Sequence, residues 1–140
     1  MREIKFRARN AGVPRCWIYG YFVVEEGYCY IVNNQGRFMV VAGTEGQYTS
    51  LNDKNKKEIY DRDICKFEIK VFSSHANISY LIVIEFKHSS WGFRYLFPEQ
   101  LAEEDRKWAP FWVDEDQEMW NANYFEVIGN VYENPELLDK

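Results

Sequence analysis

The chain has 140 residues, the usual size of a single domain, and its composition of 46% hydrophobic and 28% charged residues is ordinary for a globular protein. Five Trp, ten Tyr and ten Phe are an excess of aromatic residues, which favours strands and binding surfaces. The net charge of −5 argues against a strongly basic nucleic-acid module, although a local basic surface is compatible with it.

The N-terminal residues MREIKFRARN are charged from the second position and lack the apolar segment of a signal peptide. Apolar runs such as YLIVI at 80–84 are too short to span a bilayer. Cys16, Cys29 and Cys65 are odd in number and far apart, so no disulfide framework is expected. The sequence therefore predicts a cytoplasmic protein without a membrane segment.

The N-terminal third reads as consecutive strands. IKFRAR at 4–9 alternates apolar with basic residues, which predicts a strand with one buried face and one solvated basic face. Gly27 separates CWIYGYFVV (16–24) from YCYIV (28–32), and the turn NNQG precedes RFMVV. We expect a β-meander over residues 1–46, followed by a polar stretch, 43–56, as the only plausible boundary.

The rest of the chain, 47–140, carries further strand patterns. DICKFEIKVF (63–72) alternates, and YLIVIEF (80–86) is apolar on both faces, which is typical of a central strand. A turn at Trp91-Gly92 is expected before a strand at 93–97. Pro98 and the charge distribution behind it predict a short helix at 98–108. A last strand is expected at 124–132, with Asn134 then capping a helical turn.

The segment LNDKNKKEIYDRDICKF (51–67) is dense in turn-forming residues between short apolar alternations. Turn chemistry accounts for all of them, so a hairpin-like connection without a ligand is expected.

The same segment resembles the signature of the YopX family, a turn with Asn-Gly followed by KEIYEGDIVK. MREIKFRA at the N-terminus and FEVIGNVYENPELL (125–138) are also similar to that family and follow in the same order. The resemblance implies a phage or prophage origin and an SH3-type small β-barrel in the second part. It implies no catalytic residue and no cofactor.

Two glycines of that signature are replaced here, by Lys56 and by Arg62. Both glycines are candidates for positive φ, where a residue with a Cβ is strained. The two turns are therefore expected either to be reshaped or to hold strained residues.

Catalytic and metal chemistry have little support. A nucleophilic pair would need Cys65 or another cysteine to meet His75 or His88, but Cys65 falls on an apolar strand face and is expected to be a core thiol. Close-spaced zinc ligands are lacking, and DEDQE at 114–118 has Met119 where a calcium loop needs glycine. No catalytic residue, metal or cofactor is predicted, and the protein is not expected to be an enzyme.

Two binding surfaces remain as candidates. Basic residues on the first strand and in the 51–67 turn are candidates for nucleic-acid contact: Lys5, Arg7, Arg9, Lys54, Lys56 and Lys57. Aromatic residues of the meander are candidates for a protein interface: Trp17, Tyr19, Tyr21, Tyr28 and Tyr30.

The meander strands are apolar on both faces, so either the barrel or another subunit covers the second face. We therefore predict a homo-oligomer and a non-enzymatic protein-binding or assembly module that contacts a phage or host protein. The alternative is a nucleic-acid-associated accessory protein.

Overall fold

The computed structural model describes residues 4–71, 76–87, 90–96, 108–111 and 124–138, with the backbone alone at 69–71 and 76–78. The chain divides into two compact units, Met1–Ser50 (unit 1) and Leu51–Lys140 (unit 2). Both are built mainly from antiparallel strands, and within the described ranges there is one short 3-10 helix and no α-helix. The prediction of a mainly β protein is confirmed.

Unit 1 is a sheet of consecutive strands. The strands are β1 (Phe6–Arg9), β2 (Trp17–Glu25), β3 (Tyr28–Asn33), β4 (Gly36–Met39) and the start of β5 (Gly46–Asn52). Their order in the sheet is β4-β3-β2-β1-β5, and each pair is antiparallel. The predicted N-terminal meander is confirmed. The two units divide after Ser50, inside the stretch 43–56, which also contains most of β5.

Tight turns fix the register of these strands. Glu26 and Gly27 join β2 to β3 with φ of 51° and 82°, the positive values that two-residue hairpin loops favour. The loop from β3 to β4 is held by Asn33, whose Oδ1 accepts a hydrogen bond from Gln35 N at 2.8 Å. Because the register is fixed, the side chains that share each face of the sheet are fixed as well.

One face of this sheet, the inner face, carries the small core of unit 1. Its buried members are Ala8, Ile31 and Val40, with Phe6, Ile18, Phe22 and Cys29 packed against them. Strand β2 pairs with β1 up to Gly20 and with β3 beyond it. A Cβ at Gly20 would stand 2.4 Å from Val32 O, so this change of partner requires glycine.

Unit 2 contains a five-stranded antiparallel sheet and a separate short strand. The strands are β6 (Glu58–Tyr60), β7 (Asp63–Val71), β8 (Ala76–Lys87), β9 (Ser90–Tyr95), β10 (Ala109–Pro110) and β11 (Phe125–Asn130). The sheet has the order β10-β9-β8-β7-β11, and β6 neighbours β5 in the hairpin at 51–60. The central position predicted for 80–86 is confirmed by β8. Over the described residues the sheet is open, so an SH3-like barrel stays a prediction.

The core of unit 2 is aromatic. Phe125 lies edge-on to Phe67, with ring centroids 5.2 Å apart, and edge-on to Phe93 at 5.5 Å. The buried members of the cluster are Ile59, Cys65, Phe67, Ile82, Ile84, Trp91, Phe93, Phe111 and Phe125. Edge-to-face rings gain quadrupole attraction beyond their burial, so the strands that supply them are held at fixed spacing.

Two local predictions in unit 2 have different outcomes. The expected turn at Trp91-Gly92 is wrong, because both residues lie inside β9. A Cβ at Gly92 would be 2.3 Å from Ala109 O, so this glycine allows β10 to approach rather than the chain to turn. The predicted helical turn after Asn134 is confirmed as the 3-10 helix Pro135–Leu138. The helix predicted at 98–108 falls almost entirely on 97–107, outside the described residues.

Candidate functional site

The 51–67 segment forms two turns that are organised by buried carboxylates. Asp53 Oδ1 accepts hydrogen bonds from Asn55 N at 2.8 Å and Lys57 N at 2.9 Å. Its Oδ2 accepts a bond from Val127 N at 2.8 Å, which joins the turn to β11. With three backbone donors satisfied, Asp53 has a structural role, and the predicted hairpin at 51–67 is confirmed.

The second turn, between β6 and β7, has the same design. Asp63 is almost fully buried, and its Oδ2 accepts a hydrogen bond from Tyr60 N at 2.8 Å. Arg62 donates from its backbone to Ile84 O and from its guanidinium to the Tyr132 hydroxyl. These two hydrogen bonds join the turn to β8 and to the chain after β11.

A third turn, near the end of the described chain, is also held by side-chain hydrogen bonds. Asn130 Oδ1 accepts hydrogen bonds from Tyr132 N at 3.0 Å and Glu133 N at 2.9 Å, and Asn134 Oδ1 accepts one from Asn130 N. These residues belong to the segment 125–138, which resembles the YopX family. The resemblance in this segment therefore lies in residues that form a turn.

Both substituted glycine positions have positive φ. Lys56 and Arg62 each have a φ of 66°, so both residues lie in the left-handed region that glycine favours. A residue with a Cβ costs roughly 1–2 kcal/mol in this region. Of the two alternatives expected from the sequence, the structure therefore shows strained residues in both turns.

The cysteine interpretation is confirmed at Cys65. The side chain is fully buried in the core of unit 2, and burial raises the pKa of its thiol well above the ordinary value, with nearby Asp63 adding to the rise. A neutral buried thiol is a poor nucleophile. His75 and His88, its suggested partners, lie outside the described residues, as does the acidic stretch 114–118.

The predicted aromatic residues all lie on one face of unit 1, opposite the inner face. In the sheet register Tyr19 lies opposite Arg7, and Tyr30 lies opposite both Val23 and Met39. Directly opposed residues of an antiparallel pair point to the same side. We call this surface the aromatic face; it consists of Arg7, Arg9, Trp17, Tyr19, Tyr21, Val23, Glu25, Tyr28, Tyr30, Val32, Arg37 and Met39.

Much of the aromatic face is exposed. Tyr19, Tyr21 and Tyr28 retain 43%, 67% and 57% of their accessible surface. At roughly 200 Å² per aromatic side chain, these three tyrosines alone expose about 330 Å². That area is already within the range of the largest exposed patches on monomeric proteins, which are often functional.

The two arginines of β1 lie against the Trp17 ring within this face. The Arg7 guanidinium lies 4.3 Å from the Trp17 ring centroid and Arg9 lies 5.3 Å from it, while Lys5 lies over Tyr48. Arg7 is only 7% exposed, so the prediction of a solvated basic strand face is wrong at that position. The cause is the cross-strand register, which sets Trp17 against the arginines.

The other predicted basic residues, Lys54, Lys56 and Lys57, lie in the first turn of unit 2. All three are exposed, and Lys54 Nζ is 3.7 Å from Glu126 on β11. They stay a predicted nucleic-acid contact.

The sequence did not predict five members of the aromatic face: Val23, Glu25, Val32, Arg37 and Met39. Arg37 lies over the Tyr30 ring at 3.8 Å and bonds to Glu25 at 2.8 Å. For Arg37 and Met39, the sequence signal that could have predicted this position is the two-residue turn between β3 and β4. That turn fixes the register and sets both β4 residues on the side of Tyr30.

A depression of about 440 Å³ at one end of unit 1 is lined by amide side chains, Cys16 and Trp17. Its amides serve local structure: Asn10 Nδ2 donates to Pro14 O, and Asn33 Nδ2 donates to Tyr19 O. Across the described ranges no cluster of three His, Cys, Asp or Glu side chains could hold a metal ion. The described part of the chain also contains no helix that could cross a membrane.

The fold and the site define a mainly β protein of two units, with an exposed aromatic face on the first and structural turns in the second. The sequence profile described as "YopX protein" matches residues 23–139, so this chain belongs to the YopX family, and the resemblance of the sequence is confirmed. No curated protein matches the sequence.

Among solved structures, protein EF1440 from Enterococcus faecalis is similar to this chain with a TM-score of 0.52 at 18% identity. The alignment covers 99% of this chain and 100% of the other. At that identity the likeness shows a shared fold alone.

Proposed function

We propose that this protein is a non-enzymatic binding module that holds a protein partner against its aromatic face. The observation that carries the proposal is the joint exposure of Tyr19, Tyr21 and Tyr28 on one regular sheet. Tyrosine presents a large, rigid contact area at low entropy cost and is enriched in interfaces, as is arginine. The setting we propose is the cytoplasm of a cell that carries a phage or prophage, as the family resemblance implies.

The arginines of the face support a protein partner over a nucleic acid. Arg7 is buried against Trp17, and Arg37 is paired with Glu25, so neither guanidinium offers its full charge to a phosphate. Guanidinium groups held against rings are already ordered, which lowers the entropy lost on binding.

The test uses capture by the immobilised protein from prophage-induced host cells. Tyr21→Glu places a charge in the middle of the aromatic face. Val24→Glu is the matched control, because Val24 follows on the same strand, is 61% exposed and points to the other side. We expect a protein retained by the wild type and the control but lost with Tyr21→Glu; equal retention by both variants contradicts the proposal.

A second candidate function, a nucleic-acid-associated accessory protein, is favoured by the charge distribution. Unit 1 has six basic and four acidic residues, whereas unit 2 has eleven basic and eighteen acidic ones. Single-stranded nucleic acid stacks on aromatic side chains beside positive charge. Binding of a labelled oligonucleotide that weakens steeply with salt, and is lost with Tyr21→Glu, would establish this function instead.

A further inference from the structure

An ion pair crosses the exposed part of the aromatic face. Arg37 on β4 extends over Tyr30 on β3 and reaches Glu25 on β2, with 2.8 Å between Nη2 and Oε2. Both side chains stay about half exposed. The pair therefore lies among the exposed tyrosines, where a docked partner would have to meet it.

This pair makes the exposed surface electrically self-complementary. The paired charges of Glu25 and Arg37 sum to zero, so this part of the face gives neither a strongly acidic nor a strongly basic partner a net attraction. A second copy of the same face, turned by a two-fold axis that passes between Glu25 and Arg37, presents the opposite charge at each of these two positions. Residues in the middle of such an isologous interface lie close to the axis, where the two copies of a pair can exchange partners.

We propose that the partner of the aromatic face is a second copy of this chain, docked through the same face about a two-fold axis, with Arg37 of each copy pairing with the other copy's Glu25. This rests on the proposed function, since it names the occupant of that binding face. It gives the predicted homo-oligomer a stoichiometry, a dimer, and a specific pair of contacts.

The available area is adequate for a dimer. The three exposed tyrosines of two copies supply roughly 700 Å² together. Val23, Met39, Arg37 and Glu25 are also exposed on this face and bring the total to about 1,000 Å² or more. Specific interfaces begin at about that size. Tyrosine-rich centres also pair with tyrosine-rich centres across interfaces, which a two-fold arrangement provides.

The test exploits charge reversal in mixtures. In Arg37→Glu the dimer would oppose acidic residues across the axis, and in Glu25→Arg it would oppose basic ones. We expect each variant alone to raise the dimer dissociation constant about tenfold or more, measured by sedimentation at micromolar concentrations. Mixed in equal amounts, the two variants restore opposite charges at each contact and should return within about threefold of the wild type.

Arg94→Glu is the matched control, because Arg94 forms a similar exposed ion pair with Glu85 in unit 2. It should leave self-association unchanged. Thermal unfolding of all variants verifies that they fold, and the rescue in the mixture does not depend on their individual stability.

Three outcomes overturn the proposal: a monomer mass at all concentrations, single variants that associate like the wild type, or a mixture no better than its components. The wild type could also be a monomer that captures another protein, with that capture abolished by Tyr21→Glu. This result would overturn the proposed dimer but support the proposed function. A monomer with no capture that depends on the face overturns both.

Discussion

Lys56→Gly should stabilise the protein, because position 56 holds a side chain where the backbone favours glycine. The turn begins at Asp53, whose carbonyl accepts a hydrogen bond from Lys56 N at 2.9 Å, and φ at Lys56 is 66°. A Cβ costs about 1–2 kcal/mol in this region, and removing it relieves that strain. Glycine also adds freedom to the unfolded chain, which costs about 0.4–1 kcal/mol. The difference is a net gain of about 0.5–1 kcal/mol.

For a chain of this size such a gain raises Tm by about 1–4 °C, which thermal and urea unfolding can both resolve. Lys56→Ala is the control: it removes the same charge but keeps the Cβ, so its stability should stay near that of the wild type. An unchanged or lowered Tm for Lys56→Gly would refute the strain argument. An equal rise for Lys56→Ala would assign the gain to the lost charge.

Three further predictions concern unit 2. Arg62→Gly, although it relieves the same φ of 66°, should gain less than Lys56→Gly or lose stability in urea unfolding, because it also removes the Arg62 contact with Tyr132. Asp53→Ala should cost about 2–4 kcal/mol in the same assay, because three backbone donors lose a charged acceptor, and Asp53→Asn should cost less; a loss below about 1 kcal/mol would contradict this. Native alkylation near neutral pH should modify exposed Cys16 well before Cys65, whose raised pKa and burial keep it an unreactive thiol; equal rates would reopen a catalytic role.

The strands of unit 1 could be predicted because their turns are explicit in the sequence. Glycine or asparagine stands at each reversal between β2 and β4, and the alternation on either side fixes which residues share a face. The selection of the aromatic residues as interface candidates followed from that pattern of strands. The burial of Arg7 did not, because it depends on which residue of β2 the register sets beside it.

The features of the fold that the sequence did not predict share a physical cause. Strand β5 is polar and lacks an apolar alternation, yet Tyr48 and Thr49 within it are buried. The local sequence favours a turn at Gly92, whereas in the structure this glycine makes room for Trp108 and Ala109. In both cases tertiary contacts decide the structure, and local pattern carries no signal of them.

The bond from Asp53 to Val127 has a consequence for the order of folding. In unit 1 each hairpin from β2 to β4 closes within a few residues, so these strands can form as soon as they are synthesised. Strand β11 pairs with β7 across about sixty intervening residues, a separation that makes contact formation slow. Until residue 127 emerges from the ribosome, the carboxylate of Asp53 lacks one of its three hydrogen-bond donors, the backbone N–H of Val127. We infer a vectorial order, with 21–39 ordered first and 125–130 last, and pulse-labelled hydrogen exchange showing early protection of 125–130 would reject it.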